Sequence, residues 1–576
     1  MTQNKDIQRY LQEFIDNYNA NLGIVTLATH SSMIQLLKAF SGIDAFSSEV
    51  HDIELNQNSL KSRPLLRKLK GAFAMPIKQL FTTLLELAEL SDQSYIPKWK
   101  ELAARAEASE EADKSVIQLL RKNKNNSETE KLLEHLEQEH PHAIYPTSAY
   151  RSSTGEVNST KDGTFIEAVM TQSTMTQIHI EEGILDIENL TLARLYRPLG
   201  RVVAVIDSTI NEHYRTQLET YFEYHTIKFE PLVYRAMEID KGIHMVEVLL
   251  ADFKNVGVAR QEPVLVVGGG VIADIGGLAC ALYHRNTPYV MLATSIVSGI
   301  DAGPSPRTCC DGFGFKNLFG AYHAPVMTLT DRSFFKTLRT GWIRHGIAEI
   351  IKMAVVKDIE LFELLEKTGI ALLHSQFGTQ TNDDQLSEDG QKILALAMRS
   401  YVEAEYGNLY ETHQCRPHAY GHTWSPGFEI PSGMLHGHAI SCGMGFGAFL
   451  SFRKGWIAKE DCDRIMQLLS DFELSLWHDI LNDSDLIYKA QVKVIEKRGG
   501  NLVAPLPKHT IGQCGYLNDL SHEELTNYLS EYKILCHSYE RNGIGIEPLC
   551  SDVGLEDPST VAETTRQQLQ LEKVNI

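Results

Sequence analysis

The segment Val264-Leu265-Val266-Val267-Gly268-Gly269-Gly270-Val271-Ile272-Ala273-Asp274-Ile275-Gly276-Gly277 constrains the fold more than any other part of the chain. An apolar run that stops at three glycines and resumes with helical character reads as a buried strand turning directly into a helix. Glycines at such a turn let backbone N–H groups approach a pyrophosphate, whose charge the helix N-terminus favours. The spacing is not a strict G-x-G-x-x-G, because the third glycine comes too late, and tight packing alone explains such a turn equally well.

Around this unit the chain divides by composition. Its 576 residues exceed what one hydrophobic core supports, so two or three domains are expected. Residues 1–144 read as a helical extension without identifiable chemistry, with Ile77, Leu80, Phe81, Leu84, Leu87 and Ala88 at helical spacing. Residues 145–164 are rich in Ser, Thr and Gly and read as a linker. An α/β domain follows over 165–340, where Val202–Ile206 and Val264–Val267 are the expected parallel strands. Helical periodicity dominates 341–550, predicting a mostly helical domain that closes a cleft over the first, and 551–576 reads as a frayed polar tail.

A formal net charge of -20 argues against binding nucleic acid or an anionic membrane, and an anionic small molecule would need a local basic pocket. No apolar run is long enough to span a bilayer, and Met1-Thr2-Gln3-Asn4-Lys5-Asp6 lacks the order of a secretory signal, so a cytoplasmic address is expected. The nine scattered cysteines, without a C-x-x-C, read as reduced thiols.

Several polar groups invite chemistry. Asp207 follows the strand ending at Ile206, where a carboxylate can accept ribose hydroxyls, and Glu238 and Lys241 add a second polar pair. Glu349, His422 and His436 come from three separate segments and form a His, His, carboxylate set, which leaves coordination positions open for catalysis. Any one of the 22 histidines is more often a core hydrogen-bonder than a ligand; the combination shifts that balance. Lys352 sits three residues after Glu349 and thus on the same helical face. Arg285, Asp301, Arg307, Lys316 and Asn317 lie in glycine- and proline-punctuated loops suited to a phosphate monoester.

These motifs, GGGVIADIGG, the Arg285 segment, Asp301 with Lys316-Asn317, AEIIK, GHT and LHG, occur in an order that resembles the dehydroquinate synthase superfamily over roughly 165–549. The resemblance implies a Rossmann-like NAD domain followed by a helical metal-binding domain, a homodimer, and a small sugar phosphate as substrate. It further implies that Asp207, Glu238, Lys241, Gly269, Gly270, Asp274, Thr294, Ser295 and Lys316 line an NAD site, with Phe334 and Thr337 near the adenine. Glu349, His422 and His436 would hold Zn or Co; Asp301, Lys316, Asn317 and Lys352 would hold substrate; Arg285 and Arg307 would grip phosphate.

Departures from the family pattern are informative. Ala419 stands where dehydroquinate synthases have Asn, Pro426 where they have a second His, His438 where they have Glu, and Arg307 replaces a Lys. Those enzymes use this neighbourhood to read a substrate carboxylate. YGHTWSP followed by HGHA instead resembles the sedoheptulose 7-phosphate cyclases, and DAGPSPRTCCDGFGFKNLFGAYH is most similar to their deoxygadusol-forming branch, ahead of the epi-valiolone synthases. Dehydroquinate synthase itself, or a metal-dependent polyol dehydrogenase that releases NADH stoichiometrically, are the rival readings.

Overall fold

The computed structural model describes residues 151–159, 166–313, 315–411, 414–498 and 500–555. The expected helical extension and most of the tail lie outside them. Residues 151–159, expected within the linker, form strand β1 (Arg151–Ser159), paired antiparallel with β2 (Ile166–Thr174). Ser- and Thr-rich composition suits a β-ribbon as well as a linker, and composition alone does not separate the two.

The α/β half is a six-stranded parallel sheet built from β3 (Gln177–Ile180), β4 (Arg201–Asp207), β5 (Lys228–Tyr234), β6 (Val264–Gly268), β7 (Tyr289–Ala293) and β10 (Met327–Thr330). Their spatial order is β3-β10-β7-β6-β4-β5. The order reverses between β4 and β6, so the crevice outside their carboxyl ends is where a doubly wound sheet binds ligands.

Each central strand is buried on both sides because helices cover both faces. Val202, Ala204 and Ile206 pack with α1 (Thr191–Tyr196) and α2 (Ser208–Tyr224), while Val203 and Val205 pack with α3 (Ile243–Val256) and α4 (Gly270–Leu282). This two-residue alternation is the pleat read out as packing, and each fully buried Val is worth roughly 1.5 kcal/mol or more. An antiparallel hairpin, β8 (Arg307–Gly312) and β9 (Phe315–Tyr322), leaves the sheet after β7.

The helical half begins with α5 (Thr340–Lys357), followed by α6 (Ile359–Thr368), α7 (Ile370–His374), α8 (Asp384–Tyr406), α9 (Ser425–Ser432), α10 (His436–Arg453), α11 (Lys459–Asp471), α12 (Ser484–Lys497) and α13 (His522–Cys536). Helices α5 and α10 are buried almost all round and form the middle of the largest core cluster. A hairpin not anticipated from the sequence, β11 (Ala504–Lys508) with β12 (Thr510–Leu517), packs on them. Among the described residues, no helix is long and apolar enough to cross a membrane.

Candidate active site

At the end of β6 the chain turns on Gly268, whose φ of +153° is open to glycine alone; a Cβ there would overlap Ile272 and lie 3.0 Å from Asp207 Cβ. Gly269 and Gly270 then begin α4, whose N-terminus has no side-chain cap. A Cβ on either would meet nothing nearer than 3.7 Å, so the space over the uncapped N–H groups is open, as a pyrophosphate requires.

Asp207 closes the neighbouring strand end and caps α2, accepting from Thr209 N at 2.8 Å. Its second carboxylate oxygen is not committed to that cap. Ser295 faces Gly269 from beyond β7, next to Thr294, and its hydroxyl lies 3.0 Å from Ser298 Oγ. Thr337 bonds the Tyr214 hydroxyl at 3.0 Å, and Phe334 is buried with its ring packed in a T-shaped pair against Tyr214.

The β8–β9 hairpin ties this cradle to the helical half. Lys241 bridges Asp274 (2.6 Å) and Asn317 Oδ1 (2.8 Å), and Lys316 bridges Glu238 (2.9 Å) and Glu429 (2.7 Å). Burial opposes the charge on Lys316, yet Glu429 and Glu238 outweigh it and hold the ammonium firmly protonated.

Glu349, His422 and His436 converge as the sequence predicts. Glu349 Oε1 lies 3.1 Å from His436 Nε2 and 3.5 Å from His422 Nε2, and the two Nε2 atoms are 3.3 Å apart. His422 Nδ1 donates to Tyr420 O (3.0 Å) and His436 Nδ1 donates to Glu429 (2.9 Å). With both Nδ1 atoms carrying the proton, two Nε2 lone pairs and a carboxylate face one another. Three acceptors pointing at one place fit a divalent cation, and the bonds to Tyr420 O and Glu429 that fix the tautomers are those a ligating histidine needs. Without a cation a proton must serve: burial lowers the His436 pKa, but Glu429 and Glu349 overcome it and raise the ring to about 10. Burial likewise pushes the Glu349 carboxyl up, and Lys352, His422 and His436 together bring it well below the usual range.

Lys352 Nζ sits 2.5 Å from Glu349 Oε2, 3.8 Å from Asp301 Oδ2 and 5.1 Å from the centre of the Tyr401 ring. The expected shared helical face of Glu349 and Lys352 is thus present. Arg307 pairs with Glu405, donates to Tyr401 OH (3.0 Å), and lies 3.5 Å from Glu411 and 3.9 Å from Asp301. Its guanidinium is therefore buttressed by acids, and a phosphate reaching it must compete with Glu411. Arg285 is not brought in: it is exposed beyond the C-terminal end of α4, roughly 20 Å along that helix from the glycine turn. Within one chain helix direction sets this distance, since α4 carries its own C-terminus away from the glycine turn it opens on.

The residues that sequence reasoning passed over are Glu429, Tyr401, Glu405 and His418. Glu429, an acid between Phe428 and Ile430, was detectable as a charge in an apolar run. Tyr401 and Glu405 lie on α8, some 94–98 residues from Arg307, and carry no local signal.

Two family models match the chain: 3-dehydroquinate synthase N-terminal over residues 232–345 and 3-dehydroquinate synthase C-terminal over 346–493. Demethyl-4-deoxygadusol synthase of Trichormus variabilis is 38% identical over 368 residues, 64% of this chain and 89% of that one. A 2-epi-5-epi-valiolone synthase of Streptomyces albus is 34% identical over 330 residues, 57% of this chain and 79% of that one. Among solved structures, 2-epi-5-epi-valiolone synthase from Streptomyces hygroscopicus with NAD+ and Zn2+ bound superposes with a TM-score of 0.59 at 31% identity, covering 62% of this chain and 97% of that one. A 2-deoxy-scyllo-inosose synthase complexed with carbaglucose-6-phosphate, NAD+ and Co2+ shares the fold at TM-score 0.51 and 17% identity, covering 66% of this chain and 99% of that one.

Proposed function

The chain belongs to the 3-dehydroquinate synthase-like family of sugar phosphate cyclases, and from that premise we propose that it converts sedoheptulose 7-phosphate into a carbocycle with elimination of phosphate, as a demethyl-4-deoxygadusol synthase. The observation that carries the choice of substrate is the chemistry of the wall where a substrate carboxylate would be read. Ala419 is apolar, Pro426 is an exposed first-turn residue of α9, and His438 is buried with Nδ1 accepting from Ser475 N at 3.2 Å. Ala419 and Pro426 have no side-chain donor, and the donating edge of the buried His438 ring is taken by the backbone of Ile546, which favours a neutral sugar chain over a sugar acid.

A divalent cation on Glu349, His422 and His436 and NAD on the glycine turn would supply Lewis acidity and a recoverable hydride acceptor. The protein's own residues supply the rest. Oxidation of the alcohol next to the C–H that must be lost acidifies that hydrogen, and Lys352 beside Glu349 and Asp301 places an ammonium where an oxygen gains negative charge. Elimination then transfers that hydrogen as a proton to an oxygen of the substrate's own phosphate and breaks the C–O bond to it, and Arg307 and Lys352 neutralise the leaving charge. After the ketone is reduced again, ring opening leaves a carbonyl and an enolate in one confined molecule, which close by aldol addition. A valiolone-type carbocycle and inorganic phosphate account for all the atoms of the sugar phosphate, with no net oxidation, and the deoxygadusol product requires the loss of one further water.

A second reading, 2-epi-5-epi-valiolone synthase, is favoured by the 34% identity and the shared fold. Both readings are separated by incubating the protein with NAD, Zn2+ and sedoheptulose 7-phosphate while following phosphate, NADH absorbance and product mass. Phosphate release without net NADH supports the cyclase, and an ultraviolet-absorbing product lighter than the valiolone by one water selects the deoxygadusol branch. Stoichiometric NADH without phosphate would instead make it a polyol dehydrogenase.

A further inference from the structure

His418, in the cleft's polar cluster, has no role in the reaction outlined above. It lies in the single-turn helix Pro417–Ala419, four residues before His422. Its side chain is buried at 7% exposure, and neither Nδ1 nor Nε2 has a hydrogen-bond partner. The ring is 5.5 Å from that of Tyr401, the residue that also receives Arg307 and lies under Lys352.

Burial, reinforced by Arg307, Lys352, Arg416 and His422, holds the His418 pKa well below its ordinary value, so the ring is neutral and presents one N–H and one lone pair. The surrounding polar groups do not serve either nitrogen: Arg307 is engaged by Glu405 and Tyr401, Lys352 by Glu349, and Arg416 by Glu411. A packing residue at this place would be apolar, because an unmet buried imidazole destabilises the ligand-free fold. A group that both donates and accepts, as a hydroxyl does, matches a neutral imidazole on either edge, whereas a carboxylate meets only the N–H.

We propose that His418 is a substrate-binding residue that reads a hydroxyl on the polyol chain of the sugar phosphate, beside the metal ligands and under the Tyr401 ring. This rests on the sugar phosphate reading given above. It explains why a polar ring is kept where the protein itself has no partner for it.

The test uses the full chain loaded with Zn2+ and NADH, which cannot take a hydride, so that sedoheptulose 7-phosphate binds without turnover and is followed calorimetrically. His418→Leu is expected to weaken binding at least tenfold, while the ligand-free variant melts at or above the temperature of the parent chain. His418→Asn, which keeps a donor and an acceptor, is expected to recover most of the lost affinity. Unchanged affinity in His418→Leu overturns the proposal, as does a loss that tracks a lowered melting temperature or that Asn does not relieve. A parent chain that binds the sugar with His418-dependent affinity yet releases no phosphate with NAD sinks the cyclase reading and leaves the hydroxyl contact standing; a parent chain that does not bind it sinks both.

Discussion

The glycine turn at the end of β6 and the cluster of Glu349, His422 and His436 face one cleft, yet the first is made of backbone and the second of side chains. At the turn, Gly268 owes its place to a φ of +153° and to the closeness of Ile272 and Asp207. At the cluster, position depends on chains of charge: His436 is oriented by Glu429, Glu429 is held by Lys316, and Lys316 also grips Glu238 at the sheet. A backbone site tolerates changes that spare its dihedral angles, whereas a network of buried charges fails when any member is left unpaired.

The largest expected effect separates chemistry from architecture. Glu349→Gln removes the anionic member of the converging trio while keeping its shape, and phosphate release should fall by a factor of about a thousand or more, roughly 4 kcal/mol of barrier. Metal content measured after dialysis should fall with it. Full activity with bound metal would mean that the cluster is structural.

Next in size is a paired test of the backbone side. Gly268→Ala forces a Cβ into Ile272 at a dihedral angle that alanine avoids, and should destabilise the fold by about 2–3 kcal/mol and abolish NAD binding. Gly270→Ala, whose Cβ would meet Ala302 at an ordinary 3.8 Å, should leave stability nearly unchanged. Melting temperature and NAD titration check both, and equal behaviour of the two variants would break the contrast drawn between the regions.

The same contrast explains what the sequence made legible. The strand–glycine–helix unit is contiguous, so its residue types state its geometry, and the unbroken apolar run Val202–Ile206 states that both faces are covered. The convergence of Glu349, His422 and His436 was also readable, because such residue types are few and come in short motifs. The Lys316–Glu429 bridge spans 113 residues and the Arg307–Glu405 pair spans 98, so neither leaves a local pattern. Arg285 shows the opposite case: it sits in a recognisable segment, and within one chain the length of α4 places it away from the glycine turn. A motif reports which residues are near in sequence, and only the direction of the helix between them decides whether they meet.

The smallest effect probes the join between the regions through protons. In the metal-free protein His436 has its pKa raised to about 10, so its contribution to stability is complete below the unfolded value near 6.5 and is lost as the pH rises through about 10. At pH 8 a metal ion must therefore expel about one proton from this ring, and affinity should rise with pH up to that point. Calorimetry of Zn2+ binding in buffers of different ionisation enthalpy counts the proton directly. Glu429→Gln removes the largest charge that raises His436, and its amide can still meet Nδ1, so the ring should be mostly neutral at pH 8 and the proton released should shrink. Metal affinity should meanwhile fall about tenfold to a hundredfold, because the carboxylate that fixed the tautomer and was itself fixed by Lys316 is gone. Undiminished proton release in Glu429→Gln would show that Glu349 alone sets the ring's charge, and that the link from the metal ligands through Lys316 to the sheet carries no energy.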